Sequence, residues 1–401
     1  MRDELSDFDA PHDPPLAMVD VPPTGEHALP ADYRKRIAIY TPHDGRAIPK
    51  QYRVNADGGP LIPLEKLAQA HLRERDWGAN LVASELASAL EVPRFARVQV
   101  ARVLLDFNRF PGSTPADVGD HLQYLAIGPL YAEVLSHRQK MALLETYYDG
   151  ISDRLDQYLA GKLISIGVHT YDERNPSATR RADVSLISLP LSYQRESRLR
   201  YGVFDPMYPD DLAESTCSRI LRDRVSLELE RAGFRVLHNH PYAMPDGSIE
   251  LRAQVWYFFQ YLRRRFLQAH PETRDDPAYE MVWTMLLDTN LRLQEAELLR
   301  SFLHRFRKVP PAKADDFNRA MDAYGHVRQF VRDANIEAEY RRSPERPSSL
   351  GIEVRKDLLC TRDPQTGRPR PPTAEQQATA RRVGQIIADA IQTYVETDRE
   401  A

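Results

Sequence analysis

Five short apolar runs in this sequence end in, or carry, side chains that can do chemistry. "IAIYTPHDG" hands over His43, and "LLDFNRFPG" delivers Asp106, Asn108 and Arg109. "ISIGVHTYDE" carries His169, "FRVLHNHPY" ends in Asn239, His240 and Tyr242, and "GIEVRKDLL" holds Glu353 and Arg355. Two neutral imidazoles and one carboxylate make a zinc site that leaves a coordination position open for water. His43 and His169 are the candidate nitrogen ligands. Asp76 of "RERDWGAN", in a helical turn after the first strand, is the candidate carboxylate, with Asp44 and Glu74 as alternatives. The plain reading of Asp76 is an exposed helix acid, and that of a strand-end histidine is a satisfied core or surface group.

A zinc ion in such a site polarises a carbonyl and lowers the pKa of its water. A separate carboxylate must then take the water's proton and return it to a leaving amine. Glu353 suits that task, because an unpaired carboxylate in an apolar stretch is expensive to bury unless it has a task or a partner. Arg355, two residues on and on the same strand face, makes a structural ion pair the competing reading. Arg109 can bind a substrate carboxylate with its planar fork, and Asn108 adds a donor. Asn239, Tyr242 and Arg355 complete the expected substrate-binding set. Arg180, Arg181 and Asp183 of "TRRADVSL" lie just before a strand, where one arginine can stabilise a tetrahedral oxyanion. A strand-end turn and a solvated arginine pair are the ordinary alternatives.

Open α/β sheets bind ligands beyond the carboxyl ends of their strands, so the elements must bring these run ends to one edge. Apolar runs at 37–41, 97–107, 162–172, 183–191, 234–242 and 348–359 read as strands, and helix-compatible segments separate most of them. That rhythm implies βαβ units and a mostly parallel or mixed sheet flanked by helices. Residues 63–91 read as helix punctuated near Gly78. Between 250 and 347 the pattern is almost wholly helical, with arginines and aromatics interleaved along "WYFFQYLRRRFLQ". We read 36–249 and 348–401 as an α/β catalytic domain and 250–347 as an all-helical insertion before the last strand. The insertion is expected to pack on the core or on a second subunit, giving a homodimer in the second case, or else to cover the cleft as a lid. Residues 1–35, rich in Pro and Asp, read as a flexible arm. Glu26 and His27 within it read as a polar loop rather than a ligand pair.

Composition narrows the classes. The 401 residues carry a net charge of −4 and are 42% hydrophobic and 28% charged, as in a globular protein. There is no basic tract, so nucleic acid is not an expected partner. No stretch approaches the roughly 20 apolar residues of a membrane span, and the acidic N-terminus lacks the apolar region of a signal peptide. Cys217 and Cys360 show no metal or redox spacing and fit a reducing cytoplasm.

In their order, "TPHDGRAIP", "RDW", "LDFNR", "GVHTYDE", "RRADVSL", "HNHPY" and "GIEVRKDLL" resemble the motifs of the N-formylglutamate amidohydrolase family, which is similar in fold to the zinc carboxypeptidases and aspartoacylase-type deacylases. The resemblance spans roughly residues 40–360 without the helical insertion. It implies a zinc-dependent enzyme, one ion per chain, that cleaves the amide of a small N-acyl amino acid. The family's motif histidines fall on His43 and His169, its Asn-Arg pair on Asn108 and Arg109, its Arg-x-Asp element on Arg181 and Asp183, and its late-strand glutamate on Glu353. Three positions depart from the pattern. Arg46 stands where the carboxypeptidases carry the acid of His-x-x-Glu, Gly167 stands where the family usually has Asp, and Thr170 replaces Ser. These departures and the insertion motivate two further readings: a non-catalytic binding scaffold on a decayed hydrolase fold, and a deacylase or peptidase with a larger substrate. Gly45 is expected to let the backbone approach the metal and substrate closely.

Overall fold

The strand Ile164–Tyr171 shows how this chain positions its chemistry. Successive side chains of a strand point to opposite faces. Ile164, Ile166 and Val168 lie in one hydrophobic cluster, whereas Ser165, Gly167 and His169 occupy the other face. The strand Ser348–Arg355 repeats the pattern, with Leu350, Ile352 and Val354 in the same cluster and Ser349, Gly351 and Glu353 opposite. One face of the sheet is therefore thick and apolar, and the other is small and polar near its centre. The computed structural model describes residues 8–24, 29–114, 124–175, 177–199, 204–304, 311–363 and 365–398.

The sheet has seven strands: β1 Leu16–Asp20, β2 Ile37–Thr41, β3 Arg94–Val98, β4 Ile164–Tyr171, β5 Val184–Ile187, β6 Val236–His238 and β7 Ser348–Arg355, in the order β1-β3-β2-β4-β7-β5-β6. The four central strands are parallel, β1 and β5 run antiparallel to their central neighbours, and β6 pairs parallel with β5. This is the expected mixed α/β sheet flanked by helices. The longer helices are α1 Leu64–Glu74, α2 Ala79–Ala89, α3 Asp149–Leu159, α4 Arg219–Arg231, α5 Ile249–Ala269, α6 Pro277–Leu287, α7 Gln294–Leu303, α8 Ala314–Asp333 and α9 Ala374–Thr393. Helices α2, α4 and α9 cover the apolar face. Thr373 caps α9 by a reciprocal pair with Gln376, as its sequence suggests.

Three expectations need correction. The arm is not free along its length: Leu16–Asp20 pairs with β3 as an edge strand and Phe8 is buried, because the apolar run Leu16–Val19 completes the sheet edge. Residues 1–7 and 25–28, Glu26 and His27 among them, lie outside the described residues. The strand expected over 97–107 ends at Val98. The apolar residues beyond it fold into a buried turn in which Leu104 and Leu105 donate backbone bonds to Ala101 O. Apolar content alone does not separate a buried turn from a buried strand. Gly45 packs against backbone and does not line the cleft that holds His43 and His169. A Cβ there would lie 2.4 Å from Val100 O, so its role is close backbone packing beside β3.

The helical segment does not begin as an appendage. Helix α5 lies across the polar face of the sheet, where Gln254 donates to Ser349 Oγ at 3.0 Å and Ser165 Oγ bonds to Ser349 Oγ at 2.8 Å. Its other flank carries Phe258, Phe259, Leu262 and Phe266 into a cluster with α6, α7 and α8. The interleaved aromatics are thus core, and Arg263, Arg264 and Arg265 pair with Glu280, Glu345 and Glu339. No helix among the described residues is long and apolar enough to cross a membrane.

Candidate metal centre and hydrolytic cleft

Three ligand-bearing side chains converge beyond the carboxyl ends of β2 and β4. His43 follows β2, Asp76 sits in the turn between α1 and α2, and His169 lies near the end of β4. One ligand atom from each falls within 4.8 Å of the others. All three residues are buried. Asp76 Oδ2 lies 3.4 Å from His43 Nδ1 and 3.2 Å from His169 Nδ1. The turn fixes this geometry, because Asp76 N donates to His43 O at 3.1 Å.

Each imidazole faces a second carboxylate on its other nitrogen, His43 at hydrogen-bond distance and His169 at ion-pair distance. His43 Nε2 meets Asp106 Oδ1 at 2.8 Å, and His169 Nε2 lies 3.8 Å from Glu250 Oε1. Metal-ligating histidines characteristically carry such a carboxylate, which fixes the ring and its tautomer. His43 Nδ1 is buried without a hydrogen-bond partner. An orphaned, inward-facing imidazole nitrogen beside a carboxylate is a donor set that suits a divalent cation of the zinc type.

The charges around the cluster explain its titration. Burial opposes ionisation of Asp76, but the hydrogen bond from His169, the nearby His43 imidazole and the charge of Arg102 hold its carboxyl far below the ordinary range. Burial likewise opposes a charge on His169, yet Asp76 and Glu250 outweigh it and raise the imidazole to about 10. Without metal, this ring is therefore a cation held between two acids. A metal entering here must displace its proton.

Glu353 stands beside the cluster by strand register. It is the direct partner of His169 in the parallel β4–β7 pairing, so the two side chains leave the same face as neighbours. Its Oε1 accepts from Tyr242 OH at 2.5 Å, and its Oε2 is buried with no partner. Burial pushes the Glu353 carboxyl up, the His169 charge lowers it and Asp76 raises it, for a net rise. Tyr242 is driven well above its usual range by burial and by Glu353 and remains a donor.

Asn108, Arg109, Arg181, Tyr242 and Glu353 line one cleft of about 520 Å3 with the three ligand-bearing residues. Arg181 lies over the Tyr171 ring at 5.2 Å. Arg109 Nε sits 3.6 Å from Asp106. Asn108 faces the cleft, but its Oδ1 accepts from Ile249 N at 2.8 Å and so caps α5. Two expected substrate contacts fail. Asn239 does not line the cleft; with φ 50° it directs Oδ1 to the backbone N–H groups of Ser188 and Leu189, a local bond typical of left-handed Asn. Arg355 forms a buried ion pair with Asp183 at 2.8 Å and also pairs with Asp357. The structural ion pair anticipated for this arginine exists, with Asp183 and Asp357 in place of Glu353.

The alternatives to Asp76 are also resolved by position. Asp44 is buried between Arg75 and Arg97, and Glu74 lines the cleft outside the cluster. Arg46 is exposed and does not line the cleft. Sequence reasoning gave Asp106 no role and missed Arg102 and Glu250. Arg102 pairs with Asp106 at i,i+4 spacing. Glu250 reads in sequence as an ordinary first-turn acid behind the Ser248 cap. Its only signal is the paired glycines Gly167 and Gly351, which mark where another group approaches a strand closely.

The model of the family described as N-formylglutamate amidohydrolase matches residues 36–268. A comparison with curated proteins finds no significant match. Among solved structures, N-formylglutamate amidohydrolase from Ralstonia eutropha JMP134 is similar at 16% identity, covering 95% of this chain and 98% of that one with a TM-score of 0.45. A gene product from Agrobacterium tumefaciens is similar at 16% identity, covering 90% and 92% with a TM-score of 0.44.

Proposed function

The chain belongs to the N-formylglutamate amidohydrolase family, and from that premise and the geometry of the cleft we propose that it is a zinc-dependent hydrolase of small, carboxylate-bearing N-acyl amino acids. The observation that carries the reading is the double arrangement of the imidazoles. Both turn Nδ1 to Asp76 and back Nε2 onto a second carboxylate, and Glu353 stands next in register. His43, Asp76 and His169 would hold the metal, one ion per chain. Zinc bound there supplies Lewis acidity to the scissile carbonyl and to the attacking water.

The chain's own groups do the rest. Glu353 accepts the water's proton at Oε2, the unpartnered oxygen, while Tyr242 holds Oε1. As the carbon–nitrogen bond breaks, Glu353 returns that proton to the departing nitrogen, so that amide and water yield a carboxylic acid and a free amine. Arg181 faces the developing oxyanion, and Arg109 holds the substrate carboxylate. The exposure of Arg46 away from the cluster, with Asp76 filling the third position, supports an enzyme over a non-catalytic scaffold.

The cleft volume favours one extension. At about 520 Å3 it falls within the roughly 300–1,000 Å3 of sites for drug-sized ligands, which supports acyl groups larger than formyl. Metal analysis of the purified chain, with a rate profile across N-acyl amino acids of increasing acyl length, tests both readings. No bound divalent metal together with activity that survives a chelator refutes the first. A rate that falls steadily from formyl upward refutes the second.

A further inference from the structure

The backing of His169 comes from an unexpected place. The acid is supplied by the first turn of α5, and the strand makes room for it. A Cβ built on Gly167 would lie 2.3 Å from Glu250 Oε1, and one on Gly351 would lie 4.0 Å from the same oxygen. Glu250 therefore lies against the bare backbone of β4, two residues before His169 on the same face. Tyr40 OH donates to Glu250 Oε1 at 2.9 Å, which locks the carboxylate from the β2 side.

The start of α5 is anchored so that this placement is reproducible. Ser248 Oγ accepts from Leu251 N at 3.2 Å, and Asn108 Oδ1 accepts from Ile249 N. Arg252 ties the same turn down by donating to Gly247 O and Phe107 O, both at 3.0 Å. Asp106 and Asn108 thus serve the two histidines together, Asp106 by touching His43 and Asn108 by fixing the helix that carries Glu250.

We propose that Glu250 is the positioning carboxylate of His169, and that Gly167 is the empty place in the strand that admits it. The helical segment is then built into the metal centre through its first turn. The proposal rests on the metal reading of His169. It also makes a geometric claim of its own: a carboxylate is needed at this spot, and it can arrive from either element. A Cβ at residue 167 would lie 2.3 Å from the Glu250 oxygen and 3.0 Å from the Tyr40 ring, so an aspartate at 167 in a chain lacking Glu250 brings a carboxylate into the same pocket once the Tyr40 ring gives by a few tenths of an ångström.

The test measures zinc affinity of the full-length chain by competition with a chromophoric chelator, with the metal-free thermal midpoint of each variant alongside. Losing a carboxylate that orients a ligand histidine lowers metal affinity about 10–100-fold. Glu250→Gln, which preserves volume and the Tyr40 contact, and Glu250→Ala are both expected to fall in that range. Glu250→Asp, which keeps the charge, should bind zinc more tightly than Glu250→Gln, an order that a purely structural role does not produce. Gly167→Asp/Glu250→Ala should recover about tenfold over Glu250→Ala, and this pair carries the test alone if Glu250→Gln does not fold. Zinc binding by Glu250→Gln within about twofold of wild type overturns the proposal, and so does a relocated carboxylate that restores nothing. If the wild-type chain binds no zinc, the metal reading fails first and takes this one with it.

Discussion

Replacing Glu353 by glutamine separates binding from chemistry more cleanly than any other single change in the cleft. Glutamine keeps an oxygen for Tyr242 OH, which donates to Glu353 Oε1 at 2.5 Å. It replaces Oε2, the buried oxygen without a partner, by an amide nitrogen that cannot accept a proton. Glu353 is not one of the three clustered ligands, so zinc should still load with one ion per chain. The loss is confined to proton transfer, which a positioned acid–base group accelerates by about 10²–10⁴. At about 1.36 kcal/mol per tenfold, that range is about 2.7–5.4 kcal/mol of barrier. Steady-state kinetics on N-formylglutamate should therefore show kcat down by at least 10², with KM changed only slightly. Because burial raises the Glu353 carboxyl, its ionised form opposes folding above its ordinary range. The glutamine variant should then be at least as thermostable as wild type at pH 8. Zinc-loaded Glu353→Gln with kcat within threefold of wild type refutes the assignment of the base. Loss of zinc in that variant refutes the claim that Glu353 stands outside the metal set.

His43→Ala and His169→Ala should each abolish stoichiometric zinc in metal analysis and reduce turnover to background, and retention of one ion per chain in either variant contradicts the ligand set. Asn239→Ala should lower stability by about 1–3 kcal/mol, since it leaves the Ser188 and Leu189 amides without their acceptor, yet leave KM unchanged; a raised KM with unaltered stability returns Asn239 to the substrate site. His71, buried among Phe8 and Trp77, is held neutral, because burial and the charges of Arg75 and Arg46 depress it to about 3. The unfolded chain takes up a proton near pH 6.5 that the folded chain refuses, so this contribution to stability is complete above pH 6.5 and is lost as pH falls toward 3. The full difference is on the order of 5 kcal/mol, and His71→Leu should flatten the acid limb of a denaturant-derived stability profile; an unchanged slope between pH 6.5 and 4 refutes it.

The sheet and the clustering of His43, Asp76 and His169 were legible because they obey local rules. An apolar run that stops at His43, and a strand that carries His169, announce themselves by period and by residue type. Asp76 was reachable because its turn follows directly from the helical pattern around Gly78. What was not legible depends on which face a side chain takes and on what crosses it. Residues 99–107 are as apolar as a strand, but they form the turn that aims Asp106 at His43. Asn239 and Arg355 have the right residue types at strand ends, yet they turn to the backbone of 188–189 and to Asp183. No periodicity separates those outcomes, because both satisfy a polar group equally well.

Glu250 is the sharper case, since the sequence boundary between sheet and helical insertion was drawn through the residue that joins them. An acid two residues after a serine cap reads as helix-dipole compensation, and Gly167 reads as a missing acid. Each statement is true of its own segment, and each conceals the other. Only the pairing of β4 with β7, which puts Gly167 beside Gly351, creates a strip of sheet bare enough for a helix to lay a carboxylate on it. The same strip explains why α5 can be apolar on its outer flank, where Phe258, Phe259 and Phe266 start the helical core, and charged at its first turn. A centre assembled this way has no part that is merely attached: the turn at 106–109 holds one histidine directly and the other through the start of α5. Under the proposed function, metal affinity should therefore respond to the packing of the helical segment as well as to the three proposed ligands.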